Sequence, residues 1–131
     1  MKEFLKYQKL TLLWALFVLV LCCMPLGNVE GPGSMFFPGF DKLVHCGFFF
    51  MFIVLLYNGL IRWQGNLSVR QCVLSVVASF LFGGLVEVLQ LTVFTWRHGD
   101  WSDLFADSVG IGMGAFCTLV ILSAIRYEKK I

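Results

Sequence analysis

Charge is what this sequence has least of. Only 14% of its 131 residues are Asp, Glu, Lys or Arg, against about 25% in an ordinary soluble domain. Histidine appears twice and proline three times. The five cysteines form no Cys-x-x-Cys pair, which argues against a zinc-thiolate centre. There is no basic tract and no interleaving of basic with aromatic residues, so nucleic acid is not an expected partner. The net charge of +2 adds nothing to that. No repeat is visible, and no segment keeps up the strict alternation of a membrane barrel.

In place of charge there are long apolar runs. Hydrophobic residues make up 59% of the chain and the mean hydropathy is +0.84. Crossing a bilayer as helix takes about 20 residues, and only helices or closed barrels satisfy their backbone in lipid. The pattern predicts an all-α bundle of four transmembrane helices, at about residues 10–26, 42–61, 70–94 and 103–126, forming one integral membrane domain over 1–131. The first run follows Lys2, Lys6 and Lys9, as a signal peptide would. No small-x-small cleavage pattern follows it, and Leu21 precedes Cys22 where a lipoprotein signal needs a small residue. It is therefore expected to stay as a span.

Basic residues orient the helices. Eight of the ten (Lys2, Lys6, Lys9, Arg62, Arg70, Arg126, Lys129 and Lys130) fall on one side, with Lys42 and Arg97 opposite. This predicts a multi-pass protein of the inner, cytoplasmic membrane with both termini in the cytoplasm. The connections 28–40 and 95–102 would then face outward. The first is rich in Gly and Pro and carries Phe36, Phe37 and Phe40, which suit the interface as a re-entrant or surface-lying segment. Cys22, Cys23, Cys46, Cys72 and Cys117 read as small apolar helix residues, with a disulfide from Cys22 or Cys23 to Cys46 as the alternative.

On that topology the polar residues gather at the outer end. Five of the eight acidic residues (Asp41, Glu87, Asp100, Asp103 and Asp107) share it with Lys42, His45, Gln90, Arg97 and His98. Asp41 and His45 are four apart, Glu87 and Gln90 three, Asp103 and Asp107 four, so each pair shares a helix face. Gly83, and Gly110-x-x-x-Gly114, extend two of these faces with small residues that allow close helix approach. A carboxylate deep in a membrane helix costs about 2.5–3.5 kcal/mol on insertion scales, and such groups face a partner or a cavity. Asp41 and Asp100 also read as helix caps, and Asp103 and Asp107 as charges favoured by a helix N-terminus. Glu87 has neither excuse, because it lies near a C-terminal end. Trp96 and Trp101 read as interface anchors.

The segments Asp41-Lys42-Leu43-Val44-His45, Glu87-Val88-Leu89-Gln90, and Arg97 through Asp103 and Asp107 to Gly110 resemble the VanZ-like family, over about residues 38–115. The family takes its name from a protein associated with resistance to the glycopeptide teicoplanin. The resemblance implies a bacterial cell-envelope membrane protein. Its signature polar residues would be Asp41, His45, Glu87, Gln90, Arg97, Asp103 and Asp107, the last standing where Asn is expected in most members. It implies no particular reaction.

Two uses of such a site stay open. In the first, an enzyme acts on a lipid-linked or cell-wall substrate, with His45, Glu87 and Asp107 as catalytic groups and Asp41, Gln90, Arg97 and Asp103 binding. A divalent cation held by the carboxylates could assist, and with one histidine an oxygen-rich hard-metal site is more credible than zinc. In the second, the protein is a noncatalytic binder of an envelope lipid, a cell-wall precursor or a glycopeptide, or an accessory to another membrane protein, or the charges merely fix helix packing. The lipid bilayer is the one partner common to both. A transporter is disfavoured, because the polar residues do not continue to the cytoplasmic side.

Overall fold

A computed structural model describes residues 2–25, 38–96 and 99–129. The 28–40 connection, expected to face outward, therefore lies outside the described residues up to position 37, as do Arg97 and His98. Among the described residues every regular element is helical: α1 (Lys2–Tyr7), α2 (Lys9–Cys23), α3 (Phe40–Gln64), α4 (Val69–Thr92) and α5 (Trp101–Glu128).

Three of these, α3, α4 and α5, are long and apolar enough to cross a membrane. The first expected span differs. It is 15 residues long as α2, or roughly 22 Å at 1.5 Å per residue, short of a ~30 Å hydrocarbon core. The break before it falls at Gln8, whose backbone leaves helical geometry (φ −97°, ψ 10°). That residue is buried. Its amide nitrogen donates to the Leu56 carbonyl of α3 (3.1 Å), and its amide oxygen accepts from the Thr11 hydroxyl (2.7 Å). A polar side chain in an apolar interior must find such partners, and finding them fixes where α2 begins.

The helix ends follow local chemistry. Gly65 stops α3 in the left-handed region (φ 73°) with its N–H on the Ile61 carbonyl, a conformation glycine adopts without penalty. Ser68 and Gln71 form a reciprocal capping box that starts α4. Four residues thus join α3 to α4 and force them antiparallel.

Each spanning helix buries one narrow stripe. On α3 it is His45, Phe49, Ile53, Tyr57 and Leu60; on α4, Ser75, Ser79, Gly83, Val86, Glu87 and Gln90. On α5 it is Asp103, Ala106, Asp107, Gly110, Ile111, Gly114 and Ala115. Large apolar residues such as Leu81, Leu85, Phe105 and Phe116 point outward instead. On α4 and α5, mostly small and polar residues inside with apolar bulk outside is the arrangement lipid demands, while α3 supplies the large core side chains. The chain is a multi-pass membrane protein.

The most extensive packing is α3 against α5, and glycine permits it. A Cβ on Gly110 would sit 2.1 Å from the Cys46 carbonyl oxygen, and one on Gly114 would sit 2.5 Å from Ile53 Cγ2 and 2.8 Å from the Phe50 oxygen. Side chains also tie helices to neighbouring backbones. Trp14 donates to the Phe48 carbonyl (2.9 Å), Tyr57 to Cys72 (3.2 Å), Gln90 to Cys22 (2.8 Å) and Trp96 to Cys23 (3.1 Å). These bonds hold α2 antiparallel to α3 and bring its C-terminal end beside that of α4.

Candidate functional site

The N-terminal ends of α3 and α5 and the C-terminal end of α4 meet at one end of the bundle. His45 lies one turn into α3 and Asp107 nearly two turns into α5, and the close α3–α5 approach at Gly110 brings them together. His45 Nδ1 is hydrogen-bonded to Asp107 Oδ1 at 3.0 Å, with both side chains buried. The other oxygen of Asp107 lies against α4. A Cβ on Gly83 would be 3.0 Å from Oδ2, so the missing side chain of Gly83 leaves that oxygen its space.

Glu87 stands one turn beyond Gly83 on the same face of α4 and is fully buried. Its Oε2 accepts from the backbone N–H of Asp100 at 3.0 Å. Asp100 is the N-cap of α5, its carboxylate accepting from the Ser102 N–H (2.9 Å) and hydroxyl (2.5 Å). The Ser102 hydroxyl and then its amide hold the exposed Asp100 carboxyl below the usual range, with Lys42 adding to the effect. The connection before α5 comes this close because residue 99 is glycine. A Cβ there would meet Leu91 Cγ at 2.7 Å and the Glu87 carbonyl oxygen at 3.1 Å.

One potential ligand atom from each of His45, Glu87 and Asp107 lies within 4.8 Å of the others. Above this buried group is a more exposed layer. Lys42 Nζ is 3.2 Å from Asp103, 3.4 Å from Asp100 and 3.6 Å from Asp41. Lysine therefore serves the rim, and Glu87 and Asp107 take no charge from it. Gln90 is also buried, with its amide nitrogen committed to α2 through the Cys22 carbonyl.

The residues singled out from the sequence thus divide by depth. His45, Glu87 and Asp107 form the buried group; Asp41 and Lys42 form the rim, with the buried Asp103 reaching Lys42 from below; Gln90 joins α4 to α2. Arg97, expected to bind an anionic group, lies outside the described residues. Asp100 caps α5, whereas α3 is preceded by Gly39 and Asp41 sits in its first turn. Gly99 and Gln8 were not singled out. Gly99 was detectable only as a glycine before a cap, and Gln8 only as a polar residue among lysines.

Three buried oxygens have no hydrogen-bond partner among the described residues: Glu87 Oε1, Asp107 Oδ2 and Gln90 Oε1. Such atoms are uncommon in folded proteins, and each needs a reason. A surface groove of about 310 Å³, lined by Leu67, Leu119, Leu122 and Arg126, lies at the opposite end. It has no carboxylate, and the buried acid–imidazole group is the better candidate site.

The sequence model of the VanZ/LLP1 family matches residues 3–122, most of the chain and well beyond the three polar segments. No curated protein and no solved structure gives a significant match.

Proposed function

The chain belongs to the VanZ/LLP1 family, and we propose that it works in a bacterial cell envelope on the polar part of a lipid-linked or cell-wall substrate. The observation that supports this is the His45–Asp107 hydrogen bond at 3.0 Å with Glu87 beside it. A carboxylate on Nδ1 fixes the imidazole's orientation and leaves Nε2 for proton transfer. Glu87 is the second carboxyl group within reach, so an acid and a base are paired. Lys42, with Asp41, Asp103 and Asp100, forms the mouth, where three carboxylates outnumber the one ammonium. Positive-inside orientation puts this mouth on the outer face, with both termini in the cytoplasm.

A second reading is favoured by one specific feature: one oxygen of each buried carboxylate is already engaged, by His45 and by the Asp100 N–H. On that reading the group locks α3, α4 and α5 together, and the protein is a binder or an accessory. His45→Ala and Glu87→Gln separate the two. The enzymatic reading expects both variants to insert normally and lose protection in a teicoplanin or envelope-stress assay. It also expects wild-type protein to change the mass of a labelled envelope lipid. Full protection by both variants rejects a working site, and failure of both to insert supports the packing role.

A further inference from the structure

We infer that His45, Glu87 and Asp107 hold a first-row divalent cation, of the manganese-to-zinc class. Geometry comes first. Three side chains from three helices converge with one donor atom each within 4.8 Å. Three donors on one ion, with bonds of roughly 2.0–2.2 Å, lie about 3.3–3.8 Å apart in tetrahedral or trigonal geometry. The group must therefore contract by no more than about 1.5 Å, within the reach of side-chain rotation, to close on an ion.

The orphaned oxygens are an independent observation. Glu87 and Asp107 are both 0% exposed, yet Glu87 Oε1 and Asp107 Oδ2 have no partner among the described residues. Asp107 Oδ2 is turned toward α4 over the bare backbone of Gly83, on the face that carries Glu87. A buried lone pair without a donor is costly, and a cation satisfies oxygens that have no donor.

Charge balance agrees. With both carboxyls ionised, Glu87 and Asp107 carry −2. A proton on His45 offsets half of that, whereas a dication beside a neutral imidazole offsets all of it. Lys42 is taken up by Asp41, Asp100 and Asp103.

The donor set selects the ion class. One imidazole nitrogen with two carboxylates suits first-row dications. Calcium takes six to eight oxygens, and magnesium prefers an octahedral oxygen shell. This departs from the expectation drawn from the sequence, an oxygen-rich hard-metal site more credible than zinc, because only two carboxylates and one imidazole come together among the described residues. Three protein ligands leave a position open, as in catalytic metal sites. This inference takes the site residues from the proposed function but gives His45 Nε2 to the ion in place of proton transfer, since Nδ1 is bonded to Asp107; a bound cation is readable without any turnover.

The test uses the full chain, purified in detergent, stripped with chelator and titrated with Mn²⁺, Zn²⁺, Mg²⁺ and Ca²⁺ in turn. One Mn²⁺ or Zn²⁺ per chain is expected, at least tenfold tighter than Mg²⁺ or Ca²⁺. Pulsed electron paramagnetic resonance of the Mn²⁺ form should show coupling to one imidazole nitrogen, a readout that needs no variant to fold. Glu87→Gln and Asp107→Asn should weaken binding by more than the roughly 10–100-fold seen on losing an outer partner of a ligand. Arg126→Gln, at the opposite end of the bundle, should leave binding intact. Less than a tenth of an ion per chain, a preference for Mg²⁺ or Ca²⁺, or no nitrogen coupling would each overturn the inference. If the cation binds but no envelope lipid is altered, the metal site stands and the enzymatic reading falls. If a lipid is altered without metal, the reverse holds.

Discussion

His45 and Asp107 are 62 residues apart in the chain and 3.0 Å apart in the fold, joined where glycines let α3 and α5 touch backbone to backbone. His45→Ala should destabilise the protein by about 3–5 kcal/mol, since it strands a buried charge. Replacing both residues with leucine should be less damaging than either single change, because no charge is left without its partner. Denaturant unfolding in mixed micelles, as a double-mutant cycle, measures the difference. Additive effects would mean that the pair does not couple.

Glycines on one helix should differ sharply in tolerance. Gly110→Ala pushes a methyl into the Cys46 carbonyl oxygen, whereas Gly112 has nothing within 4 Å of an added Cβ. The first change should destabilise by at least about 1–3 kcal/mol, the range for overpacking. Gly112→Ala should stay within about 1 kcal/mol of wild type, on the stabilising side. Thermal unfolding in detergent, followed by circular dichroism, reads both.

Gly99→Ala should loosen the site while leaving the bundle intact. The new methyl meets Leu91 and the Glu87 carbonyl, so the connection must lift and the Asp100 N–H must leave Glu87. Hydrogen exchange at the Asp100 amide should rise at least tenfold, with helix content unchanged. An unaltered exchange rate would show that the connection absorbs the methyl elsewhere.

Gly59→Ala carries a suppressor prediction. Its Cβ would lie 2.5–2.6 Å from the end of the Gln8 side chain, which must move and give up its bonds to Leu56 and Thr11. Gln8→Ala removes both the clash and the bonds. The double variant should therefore be more stable than the sum of the single effects by about 1 kcal/mol. Simple additivity in an unfolding assay would count against the contact.

The spanning helices were legible because each lipid-facing surface must be apolar over about 20 residues. Their edges moved by only a few residues. The first helix kept its expected start, where the buried amide of Gln8 precedes Lys9, but ends at Cys23, two residues before Pro25 and short of the expected position 26. In the site, the shared faces of Glu87 with Gly83 and of Asp107 with Gly110 followed from 3.6 residues per turn. The partner of each group did not. Lys42, which shares that end with the deep carboxylates, pairs with Asp103, Asp100 and Asp41, and Glu87 takes a backbone N–H from the cap of the next helix.

By itself, then, the sequence determined an all-helical membrane chain with five of its eight acidic residues and both histidines collected at one end, because hydropathy and helical period are properties of single segments. Which imidazole meets which carboxylate, and which oxygens are left for an ion, was decided by tertiary structure. Those pairings depend on how far each helix is rotated and how closely its neighbours approach. That is set by contacts between segments, at Gly83, Gly99, Gly110 and Gly114 above all, where an absent Cβ lets another chain segment in.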